Sequence, residues 1–82
     1  MTRHEKLLIK FLSRPRDFTY NELIRLVRAY GYKEIQGSGS RVVFRNEVTK
    51  HNIKIHKPHQ GNVLKRYQID LIIQELKTKN LI

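Results

Sequence analysis

The sequence of 82 residues contains no cysteine, which excludes disulfide bonds, thiolate catalysis and cysteine-ligated zinc. It also lacks any apolar run long enough for a membrane-spanning helix. The first residues, 1–10, are too charged and their apolar stretch is too short for a signal peptide. We therefore expect one small domain in the cytoplasm, without a membrane partner.

Acidic side chains are scarce as well. Seven aspartates and glutamates stand against 17 lysines and arginines, which gives a formal net charge of +10 at pH 7. A basic excess of this size is the electrostatic footprint expected of a nucleic-acid-binding protein. An acidic protein partner is the alternative interpretation of the same charge.

Three segments have the periodicity of amphipathic helices, and the sequence predicts them at 4–13, 20–30 and 63–79. Pro15 ends the first helix. Thr19 and Glu22 form a capping box at the start of the second, and Gly31 is expected to cap its end. The apolar residues expected to face the core are Leu7, Leu8, Phe11 and Leu12, then Leu23, Ile24, Val27 and Tyr30, and finally Ile69, Ile72, Ile73 and Leu76.

Between the second and third helices, short alternating segments predict strands at 32–36, 41–47 and 52–57. Short turns join them, so we expect an antiparallel meander, and residues 37–40 read as a hairpin turn. A small sheet is not stable alone, so the helices must pack on its apolar face. The predicted fold is α+β, in the order α-α-β-β-β-α, with a three-stranded antiparallel sheet. Either outer strand offers an edge for a partner strand.

Alternation along the second and third strands separates apolar from basic positions. Val42, Phe44, Ile53 and Ile55 are expected to face the core, which places the intervening basic residues on the opposite face. Like charges gathered on one face repel one another unless an anion binds there. A phosphate-binding surface is therefore predicted, made of Arg41, Arg45, Lys54 and His56, with Lys57 beside them.

The start of the last helix is basic too. Lys65 and Arg66 lie at or just before its first turn, where the helix dipole is already positive. Backbone N–H groups and both cations suit a phosphate at this position. We count both residues among the candidate RNA contacts.

Two histidines flank Lys57-Pro58 and are candidates for acid–base chemistry near neutral pH. RNA cleavage needs a base, an acid and cations that stabilise the charge on phosphorus. His56, His59, Arg41 and Lys57 have the chemistry for these roles, whereas His4 and His51 have no supporting context. The spacing of His56 and His59 does not predict a metal site, because no third ligand is nearby. We expect no cofactor.

Three stretches resemble the HicA-like toxins of bacterial toxin–antitoxin systems. They are Leu23-Ile24-Arg25-Leu26-Val27 leading to Gly31-Tyr32, then Gly39-Ser40-Arg41-Val42-Val43-Phe44-Arg45, and Ile53-Lys54-Ile55-His56-Lys57-Pro58-His59. The resemblance runs from about Tyr20 to Leu81 and makes residues 1–18 a helical extension of a single HicA-like domain. It implies a fold like that of double-stranded-RNA-binding domains, and a metal-independent mRNA-cleaving toxin that a HicB-like antitoxin neutralises.

The family's proposed catalytic histidine, in its Gly-Ser-His motif, falls on Arg41. Arginine stays protonated and cannot act as a general base, although it can hold a phosphate bidentately. Two alternatives follow. Either the chemistry has moved to His56 or His59, or the chain is a non-catalytic RNA-binding module of the same fold.

A winged-helix DNA-binding protein is a further alternative, with residues 20–30 as its recognition helix. The long helix after three strands disfavours it.

Overall fold

The computed structural model describes residues 2–58 and 62–82 and confirms the predicted order of elements. Within that part of the chain no helix is both long and apolar enough to cross a membrane. The elements are α1 (Arg3–Leu12), α2 (Tyr20–Ala29), β1 (Tyr32–Gln36), β2 (Arg41–Asn46), β3 (Asn52–His56) and α3 (Arg66–Thr78).

The three strands form the predicted antiparallel meander, with β2 in the centre and β1 and β3 at the two edges. Val42 lies opposite Ile55 and Phe44 opposite Ile53. All four side chains are buried, as the alternation predicted. They belong to one hydrophobic cluster with side chains from all three helices, which gives the α+β class.

Each helix contributes an apolar stripe to this core. The four residues predicted to face inward from α3 are all buried. From α2, Leu23 and Val27 are buried as predicted, and Leu26 joins them without having been predicted. The core residues of α3 are Ile69, Ile72, Ile73 and Leu76.

The inward face of α1 is narrower than its apolar pattern predicted. Phe11 is fully buried and its ring centre lies 4.9 Å from that of Phe18, while Leu7 and Leu8 pack against the core only partly. The prediction for Leu12 was wrong, since this side chain is 37% exposed. A helix lying at the edge of a small core buries a stripe only as wide as the surface beneath it.

The start of α3 was also predicted wrongly, at residue 63 instead of Arg66. Val63 forms a β-bridge with Thr19, and the Leu64 N–H donates to the Phe18 carbonyl at 2.9 Å. These backbone groups are therefore paired across the molecule rather than along a helix. The sequence pattern extended the predicted helix back to residue 63 because Val63 and Leu64 are apolar. They are apolar because they pack against the segment that precedes α2.

Gly31 caps α2 as predicted. Its backbone φ is +94°, a conformation that residues other than glycine rarely adopt. Asn46 ends β2 one residue earlier than predicted. Its side-chain oxygen accepts hydrogen bonds from the Val48 and Thr49 N–H groups, and its Nδ2 donates to the Tyr30 carbonyl at 3.0 Å. This buried amide thus stabilises the turn after β2 and connects that turn to the end of α2 by a hydrogen bond.

We expect Phe11→Ala to destabilise the protein by about 3 kcal/mol or more, because it leaves a cavity in the shared core. Leu12→Ala, the matched control on the same helix, should cost less than about 1 kcal/mol, since that residue is already 37% exposed. Urea unfolding followed by circular dichroism measures both. Equal losses would contradict the placement of α1 given above.

Glu22, in the first turn of α2, links that helix to α1 through its side chain. It completes the capping box with Thr19 and accepts a hydrogen bond from Lys10 Nζ at 3.0 Å. Burial acts to raise the pKa of this carboxyl, but the hydrogen bonds from Thr19 and Lys10 outweigh it, and the net pKa is lowered. The charged form of Glu22 therefore stabilises the folded state.

Because a lowered folded-state pKa adds stability only above the unfolded value, this contribution should vanish as the pH falls through the acid range. Glu22→Gln retains an acceptor for the cap but loses the charge. We expect the variant to be less stable than the wild type at pH 7 and the gap to close below about pH 4. Urea unfolding at several pH values checks this, and a gap that stays constant with pH would refute it.

Candidate nucleic-acid interface

The outer face of the sheet carries the predicted basic residues of β2 and β3. Arg41 lies directly opposite His56, and Lys54, two residues before His56, lies on the same face. All three are exposed. The structure therefore brings these three side chains onto one surface, the sheet face.

Arg45 lies on the sheet face as well, but its charge is shared. Its Nε is 3.5 Å from a carboxylate oxygen of Glu47, and the residue is only partly exposed. Among residues 2–58 and 62–82, no ion pair engages Arg41 or Lys54. The charge available to an anion is thus concentrated at the end of the strands that holds Arg41 and His56.

The hairpin turn between β1 and β2 packs beside this end of the sheet. The His56 Nδ1 lies 3.2 Å from the Ser40 hydroxyl, and the Lys57 N–H donates to the Ser40 carbonyl at 2.7 Å. The turn is closed by the Gly37 N–H, which donates to the Arg41 carbonyl at 2.8 Å. Ser40 therefore orients the imidazole and anchors the chain that follows β3.

Lys57 is directed to the other side of the sheet. Its Nζ lies 5.5 Å from the ring centre of Tyr20, at cation–π distance. The Tyr20 hydroxyl in turn donates to the Glu34 carboxylate. Burial, followed by that hydrogen bond, raises the pKa of Tyr20, so the phenol stays neutral beside the lysine.

An open groove lies between the end of β3 and the start of α3. Lys57, Lys65 and the exposed ring of Tyr67 line it, and so does His56. His56 also lines a shallow depression on the sheet face with Arg41 and Lys54. The imidazole therefore stands where two basic surfaces meet, and we call the second of them the α3 groove.

The first turn of α3 contains no acidic residue, so the positive end of the helix dipole is not neutralised there. Lys65 occupies the cap position and Arg66 the first helical position, and both are exposed. Lys65 lines the α3 groove, whereas Arg66 is not part of its lining. His59 lies outside the described residues.

Gln68 is a residue that the sequence reasoning missed. It is 3% exposed, its Nε2 donates to the His56 carbonyl at 2.7 Å, and its Oε1 accepts from the Lys65 N–H at 3.0 Å. One buried amide thus fixes the backbone of the candidate histidine against the start of α3. Its position three residues after the cap, typical of a capping box, was the available signal.

The sequence offered no supporting context for His51, and the structure gives this side chain two partners. Its Nδ1 lies 2.8 Å from the Tyr32 hydroxyl, and its Nε2 lies 2.8 Å from a Glu75 carboxylate oxygen. Burial, and then the charge of Glu75, raise the pKa of Tyr32. This chain of contacts links the start of β3 to α3 and lies apart from the sheet face.

The sequence was compared with known proteins. Residues 20–78 match the model of a family described as HicA toxin of bacterial toxin-antitoxin. No curated protein and no solved structure matches the chain significantly. The matched segment begins at the first residue of α2 and ends at the last residue of α3.

We expect Gln68→Ala to lower the free energy of unfolding by about 1–3 kcal/mol, because it leaves the His56 carbonyl and the Lys65 N–H without their partner. Gln74→Ala, on the exposed side of the same helix, is the matched control and should change stability by less than about 0.5 kcal/mol. Amide NMR spectra should show shifts at His56 and Lys65 only for the first variant. Unchanged His56 resonances in Gln68→Ala would contradict the link.

Proposed function

Because the chain belongs to the family of HicA toxins of bacterial toxin–antitoxin systems, we propose that it binds RNA and cleaves mRNA. The family membership itself supports a toxin function and an antitoxin as partner. The finer part of the proposal, including a HicB-like antitoxin and a cytoplasmic site of action, rests on the resemblance and on the surface described above.

One observation carries the proposal: a histidine stands at the junction of two basic surfaces. A phosphate of single-stranded RNA that crosses this junction meets Arg41 from the sheet face and Lys65 from the α3 groove. Lys54 and Arg45 supply further cations for neighbouring phosphates along the sheet face. Tyr67 offers an aromatic surface on which a base can stack. Arg66 adds a cation at the start of α3.

In the proposed reaction His56 is the general base. With Nδ1 engaged by Ser40, Nε2 takes the proton of the ribose 2′-hydroxyl, and the 2′-oxygen attacks the adjacent phosphorus. The bond from phosphorus to the 5′-oxygen breaks, and an acid, for which His59 is our candidate, protonates that oxygen. The products are a 2′,3′-cyclic phosphate and a 5′-hydroxyl.

The cations stabilise the charge that develops on phosphorus. Arginine does not serve as a proton carrier in proteins, so the role of Arg41 is to hold the phosphate. Lys57, held above the Tyr20 ring, lines the α3 groove together with His56 and supplies a second positive charge there. None of these steps requires a metal ion.

A non-catalytic RNA-binding module is the second candidate function. Arg41 favours it, because an arginine occupies the position at which the resemblance places the family's catalytic histidine. The same surface then serves binding alone, through phosphate contacts that weaken with salt.

We expect the purified wild type to cleave RNA in EDTA, and His56→Ala to lose at least about a hundredfold in rate while its gel-shift affinity stays within about threefold. Arg41→Ala should weaken both binding and cleavage, since it removes a phosphate contact. Lys77→Ala, an exposed cation in the last turn of α3, is the charge-matched control and should behave as wild type.

The outcomes separate the two functions. Full activity of His56→Ala would show that this histidine is not the base. Binding by every protein with cleavage by none would establish the non-catalytic module instead. Preference for duplex DNA over RNA of the same length would contradict both.

A further inference from the structure

A second basic groove lies between α1 and α2. Four cations line it together with two apolar side chains, and none of these residues lines the sheet face or the α3 groove. The groove exists because α1, which precedes the family match, packs against α2. The cations are Arg3, Lys6, Lys10 and Arg25, and the apolar residues are Leu7 and Ala29.

The charge of this groove is largely unopposed. Its lining contains no acidic residue. Lys10 is paired with Glu22, which lies in α2, but no ion pair engages Arg3, Lys6 or Arg25 within the described ranges 2–58 and 62–82. Three exposed cations from two helices thus face one concave surface, and an anionic ligand would relieve their mutual repulsion.

His4 is the one titratable, aromatic side chain among the described residues that line this groove. Its Nδ1 is buried without a hydrogen bond to any described residue. Its ring packs edge-on against Tyr30, with the ring centres 4.9 Å apart. Because this nitrogen is buried, a ligand reaches it only if the ring turns toward the groove, and the unpaired state means that no hydrogen bond is lost in that turn.

The apolar part of the lining indicates which kind of anion fits. Single-stranded nucleic acid is typically bound by cations together with aromatic rings on which bases stack, but no Phe, Tyr or Trp of the described chain lines this groove, and the ring of His4, which does, is packed against Tyr30. Leu7 and Ala29 instead offer contacts to aliphatic side chains. A helix that carries leucines on one stripe and carboxylates beside it matches both features.

We propose that the groove between α1 and α2 binds an acidic amphipathic segment of a partner protein. Carboxylates of the segment pair with Arg3, Lys6 and Arg25, and its aliphatic side chains contact Leu7 and Ala29. The inference is independent of RNA cleavage, because the two regions share no lining residue. It gives α1 a role in recognition as well as in the core.

The test uses the full chain and a labelled synthetic helix of about 18 residues, with leucine at positions i, i+3, i+4 and i+7, glutamates flanking that stripe, and alanine and glutamine at the remaining positions. Fluorescence anisotropy measures binding. We expect the doubly reversed variant Lys6→Glu/Arg25→Glu to bind on the order of tenfold more weakly. The matched control Arg16→Glu/Arg28→Glu has the same net charge at exposed positions outside the groove and should lose less than about threefold.

A second peptide with glutamine in place of leucine tests the apolar contacts and should bind on the order of tenfold more weakly to the wild type. NMR of the wild type with the first peptide needs no variant and should shift the amides of residues 3–7 and 25–29. Circular dichroism verifies that both double variants fold.

Four results would overturn the proposal. The first is equal weakening by the groove and control variants, which means attraction by net charge alone. The second is no binding of the peptide, and the third is an NMR footprint outside α1 and α2. The fourth is a groove variant that loses affinity for RNA and not for the peptide, which would make the groove a nucleic-acid surface.

Discussion

The burial of four alternating side chains on β2 and β3 is the constraint on which the rest of the structure depends. Val42, Phe44, Ile53 and Ile55 pair across the two strands and face the helices. A shift of one residue in either strand would direct its basic side chains into the core, which no small domain tolerates without paired charges. The hydrophobic core therefore sets the register, and the register places Arg41 opposite His56.

The arrangement of side chains at the end of the sheet follows from that register together with local backbone pairing. Ser40 meets His56 because the hairpin turn and the end of β3 are neighbours. Gln68 holds the His56 carbonyl because α3 starts beside the same strand end. A histidine with both its ring and its backbone fixed is better suited to proton transfer than one on a solvated strand, since its position costs no further ordering.

Period-two alternation was sufficient to predict which side of each strand faces the core, and the capping box at Thr19 placed the start of α2 correctly. The start of α3 could not be predicted in this way, because Val63 and Leu64 are apolar for a contact with the segment before α2 that no local pattern reveals. The exposure of Leu12 depends on how far the core extends beneath α1, which is a tertiary property. The capping-box spacing could have paired Gln68 with Lys65, but the His56 carbonyl that Gln68 also binds lies in another element. The partners of His51 are likewise distant in sequence, so single-sequence reasoning had no means of finding these contacts.

The bridge between Thr19 and Val63 bears on the order in which the fold assembles. The hairpin turns of the sheet are short, so β1, β2 and β3 can meet at little cost in loop entropy. The bridge instead joins the two ends of a long segment, residues 19–63, which contains α2 and all three strands. Its backbone hydrogen bonds run from the Tyr20 N–H to the Asn62 carbonyl and from the Leu64 N–H to the Phe18 carbonyl. It is thus a nonlocal closure in a fold whose sheet is built from neighbours, and it becomes favourable once the sheet and the two helices already hold its ends together.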